Sequence, residues 1–440
     1  MKVQLTRTSL GGEINVPASK SHTIRAFLIA SLAEGTSTIL NPLESADTRA
    51  CIETCKAFGA EISRNSGGYT VLGTGGVIKT PPDVINVGNS GTTLYLAAGI
   101  AALGSRWTIF TGDEQIRSRP IQPLLTSLSD LGAAACSARE NGCAPVMIKG
   151  PLSGGKTSIE CHTSQYLSSL LICTPLAQDD TEMDVPLLNE QPYVEMTLRW
   201  LDEQGLTYKR EGLRRFFIPG RQAYRPFSKQ VPSDFSSAAF FLCAAAITRS
   251  KLFLKGLDME DSQGDKAVVY MLQAMGCQAE IKPEGILIDG RTFALKNGRL
   301  TGRDFDLNAT PDALPAMAAT ACYAEGTTRL LNVPQARLKE TDRISVMHQE
   351  LEKMGAHIEE QPDGLIIHGA APGTERDGNY TGGSLRGCPV HGHSDHRVVM
   401  ALSIAALGAH GITTIDTAEA VDVTFPGFFK LLEALKPPSR

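Results

Sequence analysis

The stretch MGAHIEE, starting at Met354, has four earlier counterparts: FGAEI at Phe58, LGAAA at Leu131, QGLTY at Gln204 and MGCQAEI at Met275. In each, a glycine follows an amphipathic run and precedes residues of strand character. That is the pattern of a helix closed by a left-handed glycine before the chain turns into a strand. The glycines, Gly59, Gly132, Gly205, Gly276 and Gly355, fall 71 to 79 residues apart. A sixth apolar run, FFKLLEAL at 428–435, ends the chain one period later. Six units of about 73 residues account for the whole length.

Two further phrases keep this period. One is an apolar strand that runs through a short loop into a helix, as in WTIFTGDEQIRSRPIQPLL at 107–125 and TRLLNVPQARLKETDRISVM at 328–347. The other places small polar residues at the start of an apolar, alanine-rich helix. Its six copies are SKSHTIRAFLIASL from Ser19, GNSGTTLYLAAGIAAL from Gly88, HTSQYLSSLLICTPL from His162, PSDFSSAAFFLCAAAI from Pro232, ATPDALPAMAATACYA from Ala309 and HSDHRVVMALSIAAL from His393. A helix apolar on most of its surface is a buried helix. Each unit thus reads as strand, buried helix, strand, outer helix, strand. Six units divide as three plus three, with the boundary in the polar stretch QAYRPFSKQV at 222–231. The expected domains are 18–230, and 1–17 together with 231–440, the first segment pairing with the C-terminal half.

A chain of 440 residues exceeds one ordinary core, in keeping with two domains. A net charge of -5 argues against a nucleic-acid partner and leaves small anions open, because local charge decides those. The ten cysteines include no CxxC pair and fit reduced, mostly buried thiols. The N-terminus lacks an apolar signal core, and the longest apolar runs, such as 238–247, reach about half a membrane span. The expectation is a cytoplasmic protein with no membrane partner.

A buried helix leaves its first N–H groups unsatisfied, and its dipole makes that end positive. Ser, Thr, Asp and Asn cap such ends, and several converging ends make an anion site with little formal charge. Cations stand at matching places: Lys20 and Arg25 at the first start, Arg119 in the second unit, Lys339 and Arg343 in the fifth, His396 and Arg397 at the last. Two carboxylates, Asp312 and Glu340, accompany them and suit proton transfer on a polyanionic substrate. Singly, each has an ordinary reading. Lys20, Arg25 and Lys339 could be solvated charges, Asp312 a helix cap, Glu340 with Arg343 a helix-face pair, and NSGTT at 89–93 a turn and cap. Their recurrence across units favours the functional reading. His391, His393 and His396 form HxHxxH, a poor metal template with Gly392 inside it and no carboxylate at helical spacing, so no metal is expected.

These residues also carry a resemblance. ASKSHTIRA at 18–26, GNSGTT at 88–93, RSRPIQPL ending at Leu124, SQY at Ser164, QPYVEMTL at Gln191, SDFSSAAFFL at Ser233, PDALP at Pro311, RLKETDR at Arg337, SDHRVVMA at Ser394 and TFPGFF at Thr424 resemble the 5-enolpyruvylshikimate 3-phosphate synthase family over essentially the full length. The resemblance implies an inside-out α/β barrel: two similar domains, each of three βαβαββ-type repeats, with the active site in a cleft that closes on binding. It implies transfer of the enolpyruvyl group of phosphoenolpyruvate to the 5-hydroxyl of shikimate 3-phosphate, with release of phosphate, by a monomer without metal or organic cofactor. Lys20, Asn89, Gly91, Arg119, Gln165, Arg343 and Arg397 would hold phosphoenolpyruvate. Ser21 and Arg25 would hold the ring carboxylate, and Thr163 and Ser164, beside Gln165, the ring phosphate. Asp312 would take the hydroxyl proton with Lys339 beside it, and Glu340, near His396, would exchange a proton at the methylene carbon.

Four positions depart from the family pattern: Tyr95 for Arg, Glu190 for Ser, Gln335 for Asn and Val423 for Lys. Glu190 falls where a phosphate contact is expected, and a carboxylate there repels phosphate. The competing expectations are a divergent paralogue acting on another cyclic alcohol, phosphorylated or not, and a binding protein that has lost catalysis. A related family acting on UDP-N-acetylglucosamine carries a Cys in the loop equivalent to GDEQIRSR at 112–119, which has none here.

Overall fold

All five repeated glycines stand just beyond an outer helix in the left-handed region, with φ of +102° at Gly59, +96° at Gly132, +70° at Gly205, +98° at Gly276 and +93° at Gly355. The helix Ala46–Ala57 shows the reason. The Gly59 N–H donates to Lys56 O at 2.9 Å and the Ala60 N–H to Cys55 O at 3.1 Å, which satisfies two carbonyls that the helix end would leave open. Pairs of the same kind close Gln122–Asp130, Gln191–Glu203 and Arg343–Lys353. The computed structural model describes residues 1–293, 299–369, 374–376, 379–381 and 385–437.

The chain folds as two compact units, one of Ala18–Pro232 and one of Met1–Pro17 with Ser233–Arg440. Each has its own hydrophobic core. The repeat is clearest in the second sheet, whose strands lie in the order Ile85–Asn86, Thr108–Thr111, Val146–Lys149, Ala134–Ser137. The first two strands are parallel and the rest antiparallel. A parallel neighbour requires a crossover, and the inner helix supplies it; the outer helix then leads into a hairpin. The unit is therefore βαβαββ, one strand more than the repeated phrases alone suggest. The missed strands, such as Gly68–Leu72, are short and lie between turn residues.

Terminal segments complete three of the repeats. Ser228–Gln230 pairs parallel with Thr36–Leu40, so the last strand of the N-terminal unit supplies the first strand of its opening repeat. In the other unit, Gly11–Asn15 pairs parallel with Lys251–Lys255, and Val3–Thr6 pairs antiparallel with Ile412–Ile415. The six inner helices are α1 (Lys20–Leu32), α2 (Gly91–Ala101), α3 (Ser164–Cys173), α4 (Phe235–Ile247), α5 (Leu314–Ala321) and α6 (His396–Gly408). Every residue of α2, α4 and α5 is buried, as an all-round apolar helix must be. Among the described residues no helix is long and apolar enough to cross a membrane.

A Cβ built on Gly355 meets nothing within 4 Å, so Gly355→Ala tests backbone conformation alone. Holding a Cβ residue left-handed should lower stability by about 1–2 kcal/mol, read from the urea midpoint. A change below about 0.3 kcal/mol would contradict the capping role.

Candidate active-site clusters

Five of the six inner helices carry a capping side chain at their start. Ser19, Ser90, Thr163, Asp234 and Asp395 accept from the backbone N–H of His22, Thr93, Gln165, Ser237 and Arg397 respectively. The exception is α5, which is preceded by a 3-10 turn at Pro311–Ala313 that has no side-chain cap. Asp312 lies in that turn, and its carboxylate is engaged elsewhere.

In the C-terminal unit the starts of α4, α5 and α6 meet around two guanidiniums. Arg343 is 1% exposed. It is the first residue of the helix Arg343–Lys353, which Asp342 caps. Its Nη1 is 2.8 Å from Asp312 Oδ1, its Nε is 2.8 Å from Asp395 Oδ2, and its Nη2 bonds to Glu340 Oε2 and, at 3.2 Å, to Asp395 Oδ1. Arg397 Nη2 lies 3.0 Å from the other oxygen of Asp312 and 3.1 Å from Ser236 Oγ at the start of α4. Asp395 also accepts from Thr341 Oγ1 at 3.1 Å. His396 is buried, with Nδ1 4.0 Å from Asp395 Oδ1.

The planar fork of arginine allows one residue to serve three carboxylates at once. Burial opposes ionisation of Asp312, but Arg397, Lys339 and Arg343 outweigh it and hold the carboxyl well below the usual range. Burial likewise opposes the charge on Asp395, and Arg343 outweighs it. Arg343 is itself opposed by burial, yet Asp395, Glu340 and Asp312 raise it above its ordinary value. Glu340 precedes the helix that begins at Arg343, so their ion pair spans a helix start rather than a helix face. His391 and His393 stack at 4.4 Å and bond to Asp416 and Glu350. Among the described residues no group of side chains is arranged to hold a metal ion.

The N-terminal unit gathers the remaining candidates at the starts of α1, α2 and α3. Lys20 Nζ is 3.0 Å from Asp47, whose side chain is only 4% exposed. Arg25 is buried, and its bonds run to Thr197 Oγ1 at 2.9 Å, Ser21 O at 3.1 Å, Tyr193 O at 3.1 Å and Ser168 Oγ at 3.3 Å. All four acceptors are neutral, and burial lowers the Arg25 guanidinium to about 10. Much of its fork is therefore already engaged with protein. Asn89 Nδ2 bonds to Asp113 Oδ2 at 2.6 Å and Gln115 Oε1 at 2.5 Å, and Gln165 Nε2 reaches Thr92 Oγ1 at 3.4 Å. Any Cβ at Gly91 would strike the buried Arg119 guanidinium, so glycine lets Arg119 lie against the start of α2.

The four departures have defined surroundings. Tyr95 and Tyr166 both donate to Pro120 O, at 3.1 and 2.5 Å, with their rings edge to face at 5.3 Å, and so pin the backbone just after Arg119. Gln335 is buried and donates to Asn308 O at 2.9 Å. Val423 ends the 3-10 segment Ala418–Val423. Glu190 is buried with φ +59°, and its Oε2 accepts from Thr163 Oγ1 at 3.1 Å, Ser164 N at 3.2 Å and Ser164 Oγ at 2.7 Å. Sequence reasoning passed over Asp47 and Asp395. The signal for Asp395 was its place in SDHRVVMA, and Asp47 stood outside the quoted motifs.

Six α/β repeats with cations, carboxylates and hydroxyls gathered at buried helix starts are the marks of a transferase that handles small polyanions. The family model described as EPSP synthase (3-phosphoshikimate 1-carboxyvinyltransferase) matches residues 5–432. A 3-phosphoshikimate 1-carboxyvinyltransferase of Acetivibrio thermocellus is 50% identical over 432 residues, covering 98% of this chain and 97% of the relative. One of Ruminiclostridium cellulolyticum is 50% identical over 434 residues, covering 99% and 98%. The solved EPSP synthase of Acinetobacter baumannii superimposes with a TM-score of 0.79 at 28% identity, covering 99% of this chain and 98% of that one. The chain belongs to the EPSP synthase family. These relatives give the divergent-acceptor alternative no support.

Removing one partner of a buried ion cluster costs about 3–5 kcal/mol, so Arg343→Met should lower stability by about that much at pH 7. Asp312 and Asp395 ionise more readily in the fold than in an unfolded chain. The stability they add is therefore present above about pH 4 and is lost as the pH falls through their folded values. The gap between wild type and Arg343→Met should accordingly narrow below about pH 4 in urea titrations. A loss under about 1 kcal/mol, or a gap that widens in acid, would contradict the cluster's role.

Proposed function

We propose that the two clusters divide the work of enolpyruvyl transfer from phosphoenolpyruvate to the 5-hydroxyl of shikimate 3-phosphate. The observation that carries this reading is the position of Asp312. One of its oxygens faces Arg343 and the other Arg397, while Glu340 sits on the far nitrogen of Arg343. Two cations, a base and an acid thus share one hydrogen-bonded group.

Asp312 takes the hydroxyl proton as the oxygen attacks C2 of phosphoenolpyruvate, with Lys339 beside it. Glu340, with His396 near, delivers a proton to the methylene carbon and gives a tetrahedral intermediate. The C–O bond to phosphate then breaks, Glu340 recovers a proton from the methyl carbon, and the proton from the hydroxyl departs with phosphate. Arg343, Arg397, Lys20, Arg119, Asn89, Gly91 and Gln165 hold phosphoenolpyruvate. Arg343 and Arg397 keep Asp312 a weak base while they are paired with it. An anion bound to them competes for the guanidiniums and raises the proton affinity of Asp312 when it has to accept one. Arg25, a buried charge with only neutral acceptors, suits the ring carboxylate together with Ser21. Thr163 and Ser164 suit the ring phosphate at the start of α3.

Phosphate release from phosphoenolpyruvate should require shikimate 3-phosphate. Asp312→Asn and Glu340→Gln should each lower kcat by about 100-fold or more with the fold intact. Failure of the wild type to turn over shikimate 3-phosphate, or near-normal rates in both variants, would overturn the assignment.

A further inference from the structure

Glu190 is a buried carboxylate to which the transfer chemistry gives no task. It occupies the N-cap position of the outer helix Gln191–Glu203, where short Ser, Thr, Asp or Asn side chains make the cap bond, and its longer side chain makes no such bond. Its backbone is left-handed at φ +59°, a conformation unusual for a residue with a Cβ. The side chain turns instead to the start of a different helix, α3. There a single oxygen, Oε2, accepts from Thr163 Oγ1, the Ser164 N–H and Ser164 Oγ at 2.7 to 3.2 Å. Three donors converging on one anionic oxygen is how a phosphate oxygen is held at a helix N-terminus.

We infer that Glu190 is an internal occupant of the seat for the acceptor's phosphate and is thereby a determinant of acceptor specificity. The inference rests on the assignment of Thr163 and Ser164 to that phosphate. Shikimate 3-phosphate binds by displacing the Glu190 carboxylate from its three donors, and the displaced carboxylate remains close enough to repel the phosphate. An acceptor with a neutral hydroxyl at that ring position leaves Glu190 where it is. The residue therefore weakens binding of the phosphorylated acceptor selectively and narrows discrimination between the two.

The test is steady-state kinetics of Glu190→Gln and Glu190→Ser with shikimate 3-phosphate and with shikimate. Gln keeps the shape and can still accept from Ser164, whereas Ser removes the occupant. Both variants should lower the KM for shikimate 3-phosphate by about tenfold while kcat changes much less, and the KM for shikimate should stay within about twofold. An unchanged or higher KM for shikimate 3-phosphate in both variants would overturn the inference. Adding Thr163→Ala and Ser164→Ala to Glu190→Gln separates the two claims. A raised KM for shikimate 3-phosphate upholds the phosphate seat. An unchanged one overturns the seat itself, and the inference with it, whatever Glu190 does alone.

Discussion

The guanidinium of Arg343, buried among Asp312, Glu340 and Asp395, is the interaction around which the C-terminal unit is arranged. Its partners come from two repeats: Asp312 from the turn before α5 and Glu340 from the edge of the outer helix in the fifth, which also carries Arg343, and Asp395 from the cap of α6 in the sixth. They meet because each repeat brings the start of its inner helix to the same end of the unit. Such a cluster is a poor device for stability alone, since well-packed apolar groups of the same volume often serve as well or better. It is a good device for polyanion chemistry. The same guanidiniums that quiet three carboxylates in the free protein can exchange them for the anionic groups of a substrate.

The N-terminal unit uses the same helix starts without gathering its carboxylates on one guanidinium. Arg25 is held by hydroxyls and carbonyls, and Arg119 lies against α2 where glycine makes room. Seats built from backbone N–H groups and hydroxyls bind anions without the desolvation cost of many buried charges. Two side chains depart from that plan. Asp47 pairs with Lys20, and Glu190 fills the start of α3.

Much of this was legible in the sequence because the deciding features are local. A left-handed position selects glycine, so Gly59, Gly132 and their counterparts marked the helix ends and with them the period. Capping selects Ser, Thr or Asp, so Ser19, Ser90, Thr163 and Asp234 marked the buried helices. The fourth strand of the four-stranded repeats was not legible from the phrases, because segments such as GYTVL are short and take their identity from hairpin pairing. Asp47 and Asp395 look like ordinary first-turn and cap residues. Only the fold brings them to Lys20 and Arg343. Comparison with the family pattern marked Glu190 as a misplaced charge. That it faces Thr163 and Ser164 is a tertiary fact with no local signature.

The chemistry assigned to Glu340 turns on whether the methylene carbon of phosphoenolpyruvate becomes a methyl group during the reaction. Proton NMR of the product formed in D2O answers this directly. Addition followed by elimination places a deuteron on that carbon, and free rotation of the methyl group retains it in part of the product, so the vinyl signals should show deuterium. A product whose vinyl carbon remains fully protiated would contradict a tetrahedral intermediate and the proton-exchange role of Glu340.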